Sequence, residues 1–118
     1  EIELHELEVR IAFEDLEPSL GAEWRAWCAG CGVAVEVVDR IAERVIALNA
    51  KISEAPSLGP QFRIGHSYVT PDRDEEVGDG RRWHLARVET EIAPLLDEYW
   101  YDAPDTARQA RADLIAGF

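Results

Sequence analysis

Arg63, Gly65, His66 and Ser67 fall within five positions of one another. A guanidinium is a planar donor fork suited to phosphate or carboxylate. A glycine lets a backbone come close to a ligand. An imidazole and a hydroxyl offer donors and acceptors to a base or a phosphate. The same residue types also suit a purely structural part, with Arg63 paired to an acid, Gly65 in a turn, and His66 and Ser67 capping a helix. The residues alone leave both readings open.

Two other groups could carry chemistry. Cys28 and Cys31 form Cys-Ala-Gly-Cys, a spacing used by redox pairs and by half of a structural metal site. No second cysteine pair exists, and the motif falls where a helix should end. Two reduced thiols at a helix terminus are therefore expected. The run from Pro71 to Gly80 carries Asp72, Asp74, Glu75, Glu76 and Asp79. It lacks the glycine and the terminal Glu of an EF-hand loop, so a solvated, mobile loop is predicted. There is no Gly-x-x-x-x-Gly-Lys-Ser/Thr loop, no Gly-x-Ser-x-Gly elbow and no His-Glu-x-x-His. His5, His66 and His84 have no metal-ligand spacing. No catalytic residue and no metal site are expected, and the chain alone is not expected to be an enzyme.

The chain has 118 residues, 47% of them hydrophobic, and four Trp, which fits one packed domain. It carries 12 Lys+Arg against 24 Asp+Glu, a formal net charge of -12. Such a surface repels phosphate backbones, so no direct nucleic-acid contact is expected. Arg81-Arg82 is the best local basic patch. No apolar run approaches the roughly 20 residues of a membrane span, so no membrane partner and a cytoplasmic setting are expected. The chain starts at Glu1 and contains no Met; it is expected to be a piece of a longer protein.

Periodicity indicates a mainly α fold, a helical bundle with one short N-terminal β-strand. Leu7, Val9, Ile11 and Phe13 alternate with polar or small residues, a strand signature. Residues 1–18 read as strand and connector, and residues 19–118 as a helical subdomain. A first helix is predicted from a Ser19 cap to about Ala29, burying Leu20, Trp24 and Trp27 or Cys28. Gly30 and Gly32 close it. The longest helix, about residues 33–55, carries the apolar stripe Ala34, Val38, Ile41, Val45, Leu48 and Ile52. Asn49 lies beside that stripe, either bonded to a neighbouring loop or exposed. A third helix spans about residues 81–100, and Pro94 predicts a kink near Glu91. Asp102 is the expected cap of a last helix that carries Pro104 in its first turn and ends at Gly117. Trp24, Trp27, Phe62, Trp83, Tyr99 and Trp100 are expected in or near the core.

Several motifs, in order, resemble one family. The run Leu58-Gly59-Pro60-Gln61-Phe62-Arg63-Ile64-Gly65-His66-Ser67-Tyr68 resembles the end segment of the McrB-type AAA+ nucleotidases, the motor subunits of modification-dependent McrBC restriction systems. Ala12-Phe13-Glu14-Asp15-Leu16-Glu17-Pro18 is similar to the family's strand after its arginine-rich segment. Ile46-Ala47-Leu48-Asn49-Ala50-Lys51-Ile52 resembles its long lid helix. The run from Glu91 to Asp102 resembles its closing helix, proline included.

The resemblance implies a helical AAA+ C-terminal lid attached to the last strand of the core, with the phosphate loop and magnesium site upstream. It implies a GTP-hydrolysing ring motor whose cofactor is GTP or ATP with Mg in the full-length protein, and none for this piece alone. Its implied partners are the upstream AAA+ core, neighbouring ring subunits and a McrC-like nuclease subunit. Arg63, Gly65, His66 and Ser67 would then be the nucleotide-facing residues. Where the family has consecutive trans-acting arginines, this chain has Glu8-Val9-Arg10, so only Arg10 matches. Tyr68-Val69 follows the Gly-His-Ser turn, so a second-sensor arginine is not expected. The competing expectation is a free-standing acidic helical module that contacts a AAA+ ring or a McrC-like subunit without binding nucleotide.

Overall fold

The computed structural model of the chain describes residues 20–118. The predicted N-terminal strand, the Ser19 cap and Arg10 lie outside the described residues. All regular structure among the described residues is helical.

Helix α1, Ala22–Gly30, buries Trp24 and Cys28 one turn apart, beside Leu20. Cys28 therefore takes the core position, while Trp27 is 42% exposed. The helix ends because Gly32 adopts φ 97°, a left-handed conformation that other residues resist. The Gly32 N–H then donates to Ala29 O and the Val33 N–H to Cys28 O, both at 3.0 Å. These two bonds satisfy carbonyls that a helix end otherwise leaves bare.

Helix α2, Val35–Glu54, is the central element. Val38, Ile41, Val45, Leu48 and Ile52 are buried as its period requires, and Val37, Ala42 and Asn49 widen the stripe. Ala34 is exposed, because it is the N-cap rather than part of the stripe. The helix stops at Ala55, whose extended backbone suits the residue before Pro56. Burying a side chain such as Ile41, Val45 or Ile52 contributes about 1.5–3 kcal/mol each.

The connection from α2 to the next helix holds two short 3-10 turns, Pro60–Phe62 and His66–Val69. Gly59 before them has φ 142° and would bring a Cβ to 2.9 Å from the Gln61 side chain. The backbone thus disfavours any side chain at 59, whereas the exposed end of Gln61 could swing aside.

Helix α3, Gly80–Arg87, starts one residue earlier than predicted and is capped by Asp79, whose carboxylate accepts from the Arg81 N–H at 3.0 Å. A π-turn, Val88–Ile92, follows, and then helix α4, Ala93–Tyr99. The Ala93 N–H reaches back five residues to Val88 O. This wider turn stands just before Pro94, where the ring would crowd a regular helix and no N–H is available. The expected irregularity near Glu91 thus takes the form of a π-turn.

Helix α5, Pro104–Ile115, has Ala103 as its N-cap and no side-chain cap bond. The expected Asp102 cap is one residue too early: Pro104 occupies the first helical position, which fixes Ala103 as the cap. The helix ends at Ile115, and Gly117 follows in a positive-φ turn. α2 packs against α1, α3 and α5, and α5 packs against α4. Ile64, Val69, Ile92, Leu96 and Leu114 fill the space between them. Of the six aromatics expected in or near the core, Trp24, Trp83 and Trp100 are buried. Phe62 is 37% exposed, with its ring set edge-on to Tyr99 at 5.4 Å.

Candidate functional site

The stretch from Arg63 to Val69 is fixed from beneath by a buried amide. Asn49 on α2 donates from Nδ2 to Ile64 O at 3.0 Å, and its Oδ1 accepts from the Ile64 N–H at 2.6 Å. Asn49 is 4% exposed and Ile64 1%. One planar amide thus satisfies both backbone groups of a residue that has no helix or sheet partner. This settles the open choice for Asn49 in favour of the neighbouring loop.

Beyond Ile64 the chain turns outward. Gly65 is the N-cap of the second 3-10 turn, with φ -77°, a value open to any residue. A Cβ there would meet nothing within 4 Å. The chain's own fold therefore does not require glycine at 65, unlike at Gly59. His66 is partly exposed and Ser67 exposed. Neither side chain caps the turn, so the helix-capping reading is overturned. Among the described residues, neither the His66 ring nor the Ser67 hydroxyl has a hydrogen-bond partner. Arg63 is partly buried and its Nε donates to Pro60 O at 3.0 Å. The structure thus places Gly65, His66 and Ser67 on one short, partly exposed turn, with Arg63 just before it at the end of the preceding 3-10 turn.

The far end of the turn is also held. The Thr70 hydroxyl donates to His66 O at 2.5 Å, closing the turn on itself. Arg87 on α3 donates from Nη2 to Thr70 O at 3.2 Å and to Glu75 Oε1 at 3.1 Å. Glu75 also accepts from the Asp72 N–H at 2.9 Å and from Trp83 Nε1 at 2.7 Å. The Arg87 guanidinium lies 5.1 Å from the Trp83 ring centroid, within range for a cation–π contact. Trp27 on α1 donates from Nε1 to Pro71 O at 2.8 Å. Val77 and Pro71 are buried.

The acidic loop is therefore not the freely solvated segment that its composition suggests. One of its five carboxylates, Glu75, turns inward and fastens it to α3. The Asp72 N–H outweighs the opposing effect of burial and, with Trp83 and Arg87 adding to it, holds the Glu75 pKa below the ordinary glutamate value. Nothing in the acidic run singles out Glu75. The available signals were Thr70, four residues after His66, and Arg87, an arginine on a helix face that otherwise meets the core.

The cysteines close α1 and carry no exposed redox pair. Burial, followed by the neighbouring Cys31, pushes the Cys28 thiol up to about 11, so it stays protonated and unreactive near neutral pH. Both cysteines are free. Among the described residues, no group of three or more His, Cys, Asp or Glu is placed to hold a metal ion. None of the described helices is long and apolar enough to cross a membrane.

His84 was not singled out as a core residue by periodicity, yet it is fully buried. Its Nε2 lies 3.3 Å from Leu114 O. A carbonyl only accepts, so Nε2 carries the proton, and Nδ1 has no partner among the described residues. The ring lies on Phe118 at 4.3 Å. Burial holds its pKa below the ordinary histidine value, with the Leu114 carbonyl opposing. Nearby, Arg40 Nη1 and Arg81 Nη1 donate to Gly117 O at 2.5 and 3.3 Å, and Arg44 Nε to Ala116 O at 3.1 Å. These cations stand at the negative end of the α5 dipole, so this group fastens the last turn to α2 and α3.

Comparison with known proteins bears on the same elements. Over 97 residues the chain is 35% identical to the Type IV methyl-directed restriction enzyme EcoKMcrB subunit of Escherichia coli (strain K12), which covers 80% of this chain and 21% of that protein. The chain thus spans about a fifth of that relative's length. Residues 40–108, from the second turn of α2 to the first turns of α5, match the family described as McrB, alpha-helical lid domain. With its all-helical described fold and this match across more than half its length, the chain belongs to the McrB alpha-helical lid domain family.

Proposed function

We propose that this chain is the lid of a longer McrB-like AAA+ nucleotidase within a DNA-translocating restriction motor. In this reading it closes over nucleotide and relays hydrolysis between ring subunits. The turn 65–67 faces the nucleotide, with Arg63 beside it. GTP is favoured over ATP, with Mg held by the upstream core. The observation that carries the reading is that the His66 ring and the Ser67 hydroxyl are left unbonded on a turn whose two ends are pinned by Asn49 and Arg87. A polar pair held in this way is free to bond to something outside the lid. The open space beside Gly65 gives that partner room to approach.

The lid's residues would bind and orient; the phosphate anhydride of the nucleotide would supply the free energy. His66 and Ser67 offer hydrogen bonds to the base or ribose side, and Arg63 offers positive charge. Lid closure would exclude water from the cleft. Neighbouring ring subunits, a McrC-like nuclease subunit and a cytoplasmic setting belong to the same proposal, as does a trans-acting part for Arg10. The reading is tested by fluorescent-nucleotide titration and turnover in the full-length protein, comparing His66→Ala and Ser67→Ala with wild type. The separately purified 118-residue chain should hydrolyse neither GTP nor ATP.

A further inference from the structure

We infer that Asn49 and Arg87 are a pair of positioning residues. Between them they hang the turn 65–69 from α2 at one end and α3 at the other, so that the relative placement of these two helices sets where His66 and Ser67 point.

The observations are independent at the two ends. Asn49 holds Ile64 through a donor and an acceptor at once, 3.0 and 2.6 Å. A planar amide bonded in both directions fixes position and direction together, which a single bond does not. Gln is one methylene longer, and Asp has no donor for Ile64 O, so neither reproduces this geometry. At the other end Arg87 bonds Thr70 O at 3.2 Å while its charge is held by Glu75 at 3.1 Å. Thr70 passes the constraint inward by bonding His66 O at 2.5 Å. Between the anchors only Val69 is buried, and Gly65, His66, Ser67 and Tyr68 are partly or fully exposed. Val69 and Tyr68 pack against the core, but apolar contact is not directional, so the polar bonds at the two ends set where His66 and Ser67 point.

A shift of α3 against α2 would move the two anchors apart or together and would displace His66 and Ser67 without disturbing either helix. The turn thereby couples the lid's internal packing to whatever those two side chains touch. The nucleotide arm of the test below rests on the function proposed above; the hydrogen-exchange arm does not.

The experiment uses the full-length protein that contains this lid, with Asn49→Ala, Arg87→Ala, His66→Ala and the core variant Val45→Ala as a stability control. Amide exchange is followed by mass spectrometry on peptides covering residues 60–70 and residues 36–48, alongside titration with a fluorescent GTP analogue. Both anchor variants should speed exchange in 60–70 and leave 36–48 protected. Each should also weaken nucleotide affinity by about tenfold, the loss expected for one positioned hydrogen bond. Val45→Ala should lower the melting temperature without either effect. Unchanged exchange in 60–70 for both anchor variants, or equal effects from Val45→Ala, overturns the inference. Faster exchange in 60–70 with wild-type affinity in His66→Ala supports the positioning pair and counts against the nucleotide reading instead. Loss of affinity in His66→Ala but not in either anchor variant overturns the pair.

Discussion

Asn49 and Ile64, 15 residues apart in sequence, exchange hydrogen bonds in both directions through one buried amide. The longest helix thereby fixes the entry to the exposed turn that carries His66 and Ser67. Apolar packing under Ile64 could not do this alone, because burial is not directional. The amide adds the direction.

Replacing Asn49 with Ala removes both bonds and leaves the Ile64 N–H and C=O buried without partners. Each unsatisfied group costs about 1–3 kcal/mol. Asn49→Ala should therefore destabilise the folded chain by ~2–4 kcal/mol, read as a shift of the urea midpoint. Asn49→Asp should be at least as damaging at neutral pH, since it sets a carboxylate against Ile64 O. A loss within experimental error for both variants would remove the clamp from the account.

Glu75 predicts an acid-side loss of stability. Its folded pKa is depressed, first by the Asp72 N–H and then by Trp83 and Arg87. The group's contribution is fully present above the unfolded glutamate value, about 4.3. It is lost as pH falls through the lower folded value. Urea midpoints of wild type and Glu75→Gln should differ at pH 7 and converge as pH falls below the ordinary glutamate value and through the lower folded one. A constant gap across that range would show that Glu75 acts through packing rather than charge.

His84 acts in a higher window with the same sign. Its folded pKa is held below the ordinary value of 6.5, chiefly by burial. The unfolded chain therefore binds more protons there than the folded one, and stability falls as pH drops below about 6.5. Replacing His84 with Phe, which matches it roughly in shape, should remove the loss of stability that sets in as pH drops below the ordinary histidine value. It should also lower stability at pH 8 by about 1 kcal/mol, through loss of the bond to Leu114 O. An unchanged slope in that variant would place the titration elsewhere.

The two cysteines should separate by reactivity. Cys28 is 1% exposed with a thiol pKa near 11, whereas Cys31 is partly exposed. At pH 8 an aromatic disulfide reagent should label Cys31 first and reach Cys28 on the timescale of unfolding. Equal, rapid labelling of both would contradict the closed end of α1.

Much of the fold was legible in the sequence because period and punctuation agreed. Val38, Ile41, Val45, Leu48 and Ile52 form a 3.6-residue stripe whose helix Pro56 ends, and Gly32 and Pro94 mark limits in its neighbours. The boundaries missed were at two caps: Ala103, without a side-chain bond, in place of Asp102, and the Asp79 carboxylate before α3. The site was only half legible. The polar cluster Arg63 to Ser67 stood out, and Asn49 was left open between a loop bond and exposure, but Glu75 and Arg87 act through bonds to Trp83 and Thr70 that no local pattern encodes. Glu75 was hidden among acids of the same type, and its inward turn follows from where Trp83 and Arg87 lie. His84 was hidden because a polar residue on a helix gives no apolar signal, although here its ring is packed on Phe118.

The central claim is that the turn 65–67 faces nucleotide. Its most direct test is the affinity of the full-length protein for a fluorescent GTP analogue in wild type, His66→Ala and Ser67→Ala. Both side chains lack partners within the described lid, so their loss should leave the melting temperature of the nucleotide-free protein almost unchanged. The account predicts affinity weakened by about tenfold in at least one variant, as expected for the loss of a positioned hydrogen bond. Wild-type affinity and turnover in both would contradict it.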